Sequence, residues 1–548
     1  MKKLLALVLA LMLLSAAALA DGILNELGTY PLVTEPAELN IFFCRDAAPD
    51  NWEVETNYFT TYLEELTGVH VNWEYVIGDA TACSQKVQTK LLSGDLPDVF
   101  SRCGFTRAQE MMYAAQGIFI PLNDLIEENT INIKAMFEEL PAIKEQITAP
   151  DGNIYGIPNV NLYVHGTVYD KMWVNQTWLD ALDMDMPETT EEFREMLIAF
   201  KENDPNGNGI QDEIGLVTQG VDITYLMNAF VYYDETFTML EDGTIKYIAT
   251  LDEFKQGIEY IRGLVADGLY ASDSVTMDRT QRTALVMSGD VATVGALTAL
   301  WPGHFATVES TIDDGGATRF WEYKPVAPLE GPNGLRGCYY NPGTVNEGNA
   351  CEFAITSACE NPALALRWLD YFFTYETYLT CTQGKKCESV DDLYMGVAGW
   401  IPAEEGTQGI DGKQALYIQY GLNNTVNCGW QSYAVVPRYL SFAGHSGMYC
   451  PEGHYEQMLY KTTVEDYQPY GGLKSIPPLY MESEELAVEF NELEVNLKNC
   501  VSTAIAQFIT GVRDIDSEWD AFQAELSSYG LECYLEIYQE QYDLNYGE

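Results

Sequence analysis

Basic residues are scarce in this sequence. Its 548 residues include 29 Lys and Arg against 82 Asp and Glu, which gives a formal net charge of −53 at pH 7. A field of that sign repels phosphate backbones and anionic lipid headgroups. The composition therefore argues against a nucleic-acid partner, and it suits a protein that stays soluble outside the cell.

Long apolar runs are absent after the first twenty residues. Lys2 and Lys3 precede an apolar stretch that is shorter than the roughly 20 residues of a membrane span and ends in small residues before Asp21. The pattern predicts a signal peptide over residues 1–20, cleaved after Ala20, and an exported protein that is periplasmic or extracellular. No cysteine stands near the cleavage point, so we expect no lipid attachment and no membrane span in the mature chain.

Spacings typical of zinc sites are missing as well. The chain has five His and contains neither His-x-x-x-His nor Cys-x-x-Cys. Its twelve cysteines are an even number in a chain expected to be exported, so disulfides are chemically allowed. The sequence leaves open which cysteines pair and which stay buried thiols, and three pairs of neighbours stand out: Cys351/Cys359, Cys381/Cys387 and Cys428/Cys450.

Catalytic motifs are also lacking. No Gly-x-Ser-x-Gly elbow, phosphate-binding loop, Gly-x-Gly-x-x-Gly after a strand or His-Glu-x-x-His occurs in the sequence. Paired carboxylates of the glycosidase kind stay open as an alternative, because 82 acidic residues can always place two of them across a sugar. A solvated acidic surface explains the same residues more simply, and we expect no enzymatic activity.

Strands and helices alternate in what the sequence does contain. ELNIFFC from Glu38 predicts a strand, the helical spacing of Phe59, Leu63 and Leu66 predicts a helix closed by Gly68, and the alternating VHVNWEYV that follows predicts a second strand. A further helix then leads into LPDVF, a short apolar strand. The fold class is therefore α/β, with ligand chemistry expected at the carboxyl ends of the strands.

Two helical signals lie further along the chain. Thr189 with Glu192 three residues later predicts a capping box at the start of a helix. Over the last sixty residues, an apolar stripe from Leu486 to Phe508 stops at Gly511, which predicts a helical C-terminal extension packed through that stripe.

The loop DPNGNGIQDE carries the clearest metal-binding pattern. A hard cation such as calcium takes six to eight oxygen ligands, which alternate residues of a tight loop can supply, and Gly209 falls where such a loop turns sharply. The twelfth loop position is Gly215 instead of a bidentate Glu, so Glu213 has to complete the shell. A surface turn rich in Asn and Gly is the alternative. We predict a structural Ca²⁺ site formed by Asp204, Asn206, Asn208, the Ile210 carbonyl, Asp212 and Glu213.

Aromatic residues are abundant. Ten Trp, 36 Tyr and 21 Phe make up 12% of the chain. Sugar rings stack their C–H faces on aromatic planes, while their hydroxyls pair with planar polar groups such as Asp, Asn and Arg. Most aromatic residues belong to cores in any globular protein, yet this number is compatible with an oligosaccharide-binding surface.

Several segments, taken in order, resemble a known family: SGDLPDVF, GIFIPLNDLI, GNIYGIP, DPNGNGIQDEIGL, ALVMSGDVATVGA and FAITSACENPALALRWLDYFF. The chain is similar to the extracellular solute-binding proteins of ABC carbohydrate importers, of family 1 type, and within them to the branch that includes alginate-oligosaccharide-binding and LipO-like proteins. The resemblance implies a type II periplasmic-binding-protein fold, in which two α/β lobes joined by a hinge close on a carbohydrate that is passed to ABC permease subunits. A monomer is expected, and a non-sugar solute such as a peptide is the alternative ligand.

The resemblance also implies boundaries and contacts. Lobe 1 would comprise residues 21–163 and 326–376, and lobe 2 residues 164–325 and 377–548. The calcium loop matches that of the alginate-binding relatives. The implied ligand-binding residues, each with core packing as the alternative, are Arg102, Phe105, Trp173, Trp301, Trp400 and Trp430.

Overall fold

The structure is a computed structural model. It describes residues 21–45, 52–77, 80–161, 164–168, 170–308, 319–340, 350–393, 395–420, 426–430, 436, 439–440, 447–450, 454–471, 476–477 and 479–547. The predicted signal peptide lies outside the described residues. The chain divides into two compact units: unit 1 is Met1–Leu162, Gly343–Tyr449 and Pro478–Glu484, and unit 2 is Tyr163–Pro342, Cys450–Pro477 and Glu485–Glu548.

A four-stranded sheet organises unit 1. Its order is β11-β3-β1-β2, with β1 parallel to β2 and β3, and β11 antiparallel to β3. The strands of the unit are β1 (Ala37–Arg45), β2 (Val69–Ile77), β3 (Val99–Phe105), β4 (Val160–Asn161), β11 (Cys351–Ile355), β12 (Gly399–Pro402), β13 (Tyr417–Tyr420) and β14 (Tyr439–Leu440). Its helices are α1 (Tyr58–Thr67), α2 (Ala80–Ser93), α3 (Arg107–Ala115), α4 (Asn123–Asn129), α5 (Asn132–Glu139), α6 (Pro141–Ile147), α12 (Pro362–Asp370) and α13 (Tyr375–Gln383).

Strand β1 shows why this sheet is buried on both faces. Ile41 and Phe43 join one hydrophobic core cluster, while the intervening Phe42 joins a second cluster on the opposite face. A strand covered on both sides reads as a nearly continuous apolar run, which is what the sequence has here. The predicted end of α1 is confirmed, because Gly68 caps the helix in a left-handed conformation with φ 72°.

Unit 2 contains a second mixed sheet. Its order is β10-β5-β9-β6, with β5 antiparallel to both neighbours and β6 parallel to β9. The strands are β5 (Lys171–Asn175), β6 (Ile214–Val217), the hairpin β7 (Thr238–Glu241) and β8 (Thr244–Tyr247), β9 (Val294–Ala299) and β10 (Tyr323–Val326). The helices are α7 (Gln176–Leu182), α8 (Thr190–Glu202), α9 (Thr224–Met227), α10 (Asp252–Ala266), α11 (Arg279–Val286), α14 (Tyr455–Lys461), α15 (Glu484–Thr510), α16 (Ile515–Ser528) and α17 (Leu531–Tyr546).

The two predicted helical features are confirmed. The Thr189 side chain accepts from the Glu192 backbone N–H, and the Glu192 side chain reaches back to the cap, so α8 begins with a capping box. The C-terminal extension consists of α15, α16 and α17, and its buried stripe includes Leu497, Val501 and Phe508. None of the helices in the described part of the chain combines the length and hydropathy of a membrane span.

The division into units differs from the predicted lobe boundaries at three stretches: residues 326–342, residues 377–449 and residues 478–484, of which the last belongs to unit 1. Residues 377–449 belong to unit 1 and not to the second lobe, because Trp430 inserts into the first core, stacked on Phe372 and edge-on to Phe59. Residues 326–342 belong to unit 2, where β10 pairs with β5 and the Tyr225 hydroxyl donates to the Ala327 carbonyl.

One disulfide joins Cys44 to Cys83. The six cysteines that stood out as neighbours in the sequence are buried thiols that form no disulfide, so none of those three pairs is bonded. Side-chain burial keeps them from solvent, which is the alternative that the sequence had left open.

Candidate functional site

A polar pocket lies at one edge of the unit 2 sheet. Because β6 and β9 are parallel, their carboxyl ends meet at this edge, and the loops that follow them contribute Asp222 and His304. Strand β5 is antiparallel to β9, so it begins at the same edge, directly after Asp170. The pocket has a volume of roughly 340 Å³ and opens to solvent. The carboxyl edge of parallel strands is where α/β folds bind their ligands.

Three carboxyl groups form its acidic side. Burial, and then the charges of Asp222 and Glu235, raise the pKa of Asp170 well above its usual range. Asp222 is held in place by the Thr298 hydroxyl, which donates to Oδ2, and by the Thr224 backbone N–H, 3.2 Å from Oδ1. Burial, followed by the charge of Asp222, also raises the pKa of Glu235.

Basic groups face these carboxylates. Two hydrogen bonds fix the position of Arg282: its guanidinium donates to the Thr298 carbonyl at 2.6 Å and to the His304 carbonyl at 3.0 Å. Burial, and then the charges of Arg279 and Arg282, lower the pKa of His304 to about 4, so its imidazole is neutral at pH 7. Lys498 on α15 completes the basic side, which makes the C-terminal extension part of the pocket wall.

The backbone beneath Tyr233 and Phe237 has an uncommon conformation. Glu235 and Phe237 both have positive φ, 71° and 62°, which only a few per cent of residues other than glycine adopt. Each such position costs roughly 1–3 kcal/mol and persists where the surrounding fold imposes it. Tyr233 and Phe237 line the pocket together with the charged groups, but both side chains are buried, at 7% and 2% exposure.

Four of the six predicted ligand contacts are core residues. Phe105 packs edge-on against three neighbouring rings, and the other three donate their indole N–H groups inside the protein: Trp173 to the Ala299 carbonyl, Trp400 to the Thr380 hydroxyl and Trp430 to the Thr60 hydroxyl. All four are at most 3% exposed, so a ligand finds no free ring face on them. Packing, the alternative for each, is the role that the structure gives them.

Arg102 and Trp301 remain accessible. Arg102 lies in the middle of β3 with its Nε 2.9 Å from the Glu352 carboxylate, whose pKa burial raises to about 7 against the opposing charge of Arg102. Trp301 is half-buried beside His304, one residue after Leu300 of the pocket wall. Their contact with ligand stays a prediction.

The sequence interpretation missed the pocket residues of unit 2. Asp170, Asp222, Glu235, Arg282 and Lys498 lie far apart in the chain and belong to no short motif. The sequence does hold one signal for this pocket: ligands bind at the carboxyl ends of parallel strands, and Asp222 lies in the loop after β6.

The predicted calcium loop folds as a tight turn. Gly207 and Gly209 have φ of 69° and 77°, and the Asp204 carboxylate accepts from the backbone N–H groups of Asn208 and Gly209 at 3.1 and 2.8 Å. The Asp212 carboxylate accepts from the side-chain amide of Asn208 at 3.1 Å. Hydrogen bonds to the carboxylates of Asp204 and Asp212 thus hold the loop together.

The environment of the Glu213 carboxylate shows whether these residues fit a cation. Both of its carboxylate oxygens are shielded from solvent, and within the described part of the chain they accept no hydrogen bond. Burial, and then the charges of Asp212 and Asp204, raise its pKa. The carboxylates of Asp204, Asp212 and Glu213 do not all lie within 4.8 Å of one another. A shielded carboxylate that lacks a donor, beside two others, is nevertheless the arrangement that a hard cation stabilises, so the residues fit calcium.

Comparison with known proteins agrees with this architecture. Residues 52–378 match the sequence profile of the bacterial extracellular solute-binding proteins, and the chain belongs to this family. It is 29% identical over 511 residues, 88% of this chain and 86% of the relative, to the fructooligosaccharide ABC transporter substrate-binding protein FusA of Streptococcus pneumoniae. The structure of FusA with kestose has a TM-score of 0.70 at 25% identity and covers 92% of this chain and 99% of FusA.

Two other solved structures share the fold. An HMO-binding solute-binding protein from Bifidobacterium longum infantis has a TM-score of 0.73 at 20% identity, over 94% of this chain and 100% of its own. The alginate-binding protein AlgQ2, solved without calcium ion, has a TM-score of 0.65 at 20% identity, over 94% and 100%. A second FusA structure is that of an EF-hand mutant.

Proposed function

We propose that this protein captures an oligosaccharide outside the cell and delivers it to the permease subunits of an ABC importer, without breaking a bond in the ligand. The observation that carries the proposal is the polar pocket of unit 2, at the edge of the sheet where α/β folds bind ligands. Membership of the solute-binding family and the similarity to FusA over most of both chains support it.

The pocket suits a polyhydroxyl ligand. Asp222 is held rigidly by Thr298 and Thr224, so its carboxylate is ready to accept hydrogen bonds from vicinal hydroxyls. Asp170, whose pKa is raised, can both donate and accept in its protonated form. The neutral imidazole of His304 adds a donor or acceptor without adding charge. Neutral sugars carry many hydroxyls and no charge, and they are matched by such a mixture of donors and acceptors.

Transport requires that binding change the shape of the protein. In the proposed mechanism, contacts of the ligand to both lobes shift the population from an open to a closed form, and the permease recognises the closed form. A hydrolytic role, the alternative, would require two carboxyl groups that flank a sugar bond at a separation of ~5–10 Å.

Calorimetric titration with a panel of ligands tests the proposal. The panel contains kestose, a neutral malto-oligosaccharide, an oligogalacturonate and a short peptide. We expect one neutral oligosaccharide to bind and to add about 2.7 kcal/mol of stability at 100 times its dissociation constant. Asp222→Asn should weaken that binding at least tenfold, whereas Asp185→Asn, the same change at an exposed position of unit 2, should not. Binding of the peptide alone, or release of shorter sugars, would contradict the proposal.

We further propose that the loop from Asp204 to Glu213 holds a structural Ca²⁺. Asp204, Asn206, Asn208, the Ile210 carbonyl, Asp212 and Glu213 would be its ligands. The shielded Glu213 carboxylate and the glycine-dependent turn support this. When bound, the ion would neutralise the clustered carboxylates and hold the segment between α8 and β6, at a distance from ligand chemistry.

A further inference from the structure

Three cysteine sulfurs meet in unit 1. Cys44 lies near the end of β1, Cys83 on α2 and Cys103 on β3, and their sulfur atoms all lie within 4.8 Å of one another. Within the described residues this is the one place where three ligand atoms of His, Cys, Asp or Glu come so close. Cys44 and Cys83 form the disulfide, and the Sγ of Cys103 is 3.9 Å from that of Cys44.

The position of Cys103 depends on a break in strand β3. Phe43 of β1 pairs with Ser101 of β3, so regular alternation would put Cys103 on the face of Phe43, opposite Cys44. Arg102, however, has φ of 56°, in the left-handed region. Cys103 consequently packs against the cluster of Phe42 and Cys44, on the same face as the disulfide.

This local geometry has a chemical consequence. A left-handed residue other than glycine is strained by roughly 1–3 kcal/mol, and such strain is found where the fold needs a side chain in a particular place. Here the side chain that it redirects is a thiol, which is brought beside a disulfide sulfur. A thiol at that distance can attack the disulfide once it loses its proton.

We propose that Cys103 is the resolving thiol of an internal thiol–disulfide exchange, in which the bridge of Cys44 moves between Cys83 and Cys103. The Cys103 thiolate attacks the Sγ of Cys44, the Cys44–Cys83 bond breaks, and a Cys44–Cys103 bond forms. Cys83 leaves as a thiolate and takes up the proton that Cys103 released. One disulfide and one thiol are present before and after, so the step needs no external oxidant or reductant.

The two isomers constrain different elements. Bonded to Cys83, Cys44 ties β1 to α2; bonded to Cys103, it ties β1 to β3 next to Arg102. In the second isomer α2 loses its covalent link to the sheet. The exchange therefore moves the covalent link of β1 from helix α2 to strand β3, which carries the predicted ligand contact Arg102.

The thiol environment sets the pH at which the exchange runs. Burial, and then the charge of Glu352 on β11, raise the pKa of Cys103 well above its ordinary value. The neighbouring Cys351 thiol is buried and has a raised pKa as well, and Arg102 is engaged by Glu352. Because the thiolate is the attacking species, the exchange is slow at neutral pH and accelerates as pH rises.

Disulfide mapping of the intact protein tests the proposal. The protein is incubated at alkaline pH, quenched in acid, alkylated and digested without reduction, and the linked peptides are identified by mass spectrometry. In the wild type we expect both Cys44–Cys83 with alkylated Cys103 and Cys44–Cys103 with alkylated Cys83. Recovery of Cys44–Cys83 alone after prolonged incubation would overturn the proposal.

Variants sharpen the test. Each variant is first incubated with oxidised glutathione, because two thiols need an oxidant to form a disulfide; Cys83→Ser should then carry the bridge Cys44–Cys103, and Cys103→Ser should show no alkylation of Cys83. Cys533→Ser, at an exposed thiol on α17, should leave both isomers as in the wild type. The proposal is wrong if Cys44 and Cys103 both stay alkylatable in a folded Cys83→Ser protein. It is equally wrong if native mass spectrometry finds the three sulfurs reduced and holding a soft metal ion.

Discussion

Among individual residues, Glu110 gives unit 1 a pH-dependent stability. It lies on α3, 1% exposed, and burial raises its pKa to about 7 against the opposing charge of Arg107. The Arg107 guanidinium itself lies 4.6 Å from the centre of the Tyr480 ring. Between the ordinary carboxyl pKa of 4.5 and about 7, the native state binds more protons than the unfolded state. Its contribution to stability is therefore complete below that interval and is lost as pH rises through it.

We predict that Glu110→Gln flattens this decline. Between pH of about 5 and about 8, the free energy of unfolding of the wild type should fall by on the order of 1–3 kcal/mol more than that of the variant. Urea unfolding followed by fluorescence at both pH values measures the difference. Glu128→Gln, an exposed change on α4, is the control and should match the wild type. Equal slopes for Glu110→Gln and wild type would show that this carboxyl is ionised throughout.

Substitutions of Trp430 and Trp301 distinguish a role in core packing from a role in ligand binding. Trp430 is fully buried against Phe59 and Phe372, so Trp430→Ala should lower the free energy of unfolding by about 3–5 kcal/mol. Trp301 is half-buried beside the pocket, and Trp301→Ala should weaken sugar binding while costing less stability. Denaturation and calorimetry on the same two proteins compare the effects. A Trp430→Ala protein of native stability, with impaired binding, would restore Trp430 as a ligand contact.

At the scale of elements, the calcium loop gives the sharpest prediction. Chelation with EDTA should lower the thermal midpoint of the protein, and added Ca²⁺ should restore it, because a bound ion offsets the repulsion among Asp204, Asp212 and Glu213. Glu213→Gln should abolish the response to Ca²⁺. Glu195→Gln, on the exposed face of α8, carries the same change in charge and should keep it. Identical melting curves with and without Ca²⁺ would leave the loop as an ordinary turn.

Local signals explain which elements could be predicted. The end of α1 at Gly68 and the capping box of α8 depend on residues adjacent in the chain, so the sequence alone predicted them. The placement of β12 and β13 in unit 1 depends on contacts between residues hundreds of positions apart, such as Trp430 with Phe59. A tryptophan of the core and a tryptophan that stacks on a ligand look the same in the sequence, and only the packing in three dimensions distinguishes them. The sequence did not predict the pocket carboxylates either, because they lie far apart in the chain and meet only in the folded protein.

For the whole molecule, the net charge of −53 dominates solution behaviour. Like charges destabilise the compact state by mutual repulsion, and dissolved salt screens them. We predict that the thermal midpoint rises when NaCl increases from about 10 mM to about 1 M, which shortens the Debye length from about 30 Å to about 3 Å. Because the entropy of unfolding grows with chain length, each kcal/mol of repulsion removed should add on the order of 1 °C in a chain of this size. The measurement is differential scanning calorimetry at constant Ca²⁺, and a midpoint that falls with salt would contradict it.

The pocket of unit 2 takes Lys498 and Ser502 from α15, although most of its wall comes from residues 170–304. A chain emerging from the export machinery therefore completes most of the second sheet well before it can complete the pocket. Binding at the proposed pocket therefore requires that nearly the entire polypeptide has been exported. A chain truncated before α15 would contain every strand of the second sheet and would still lack two residues of the proposed pocket wall.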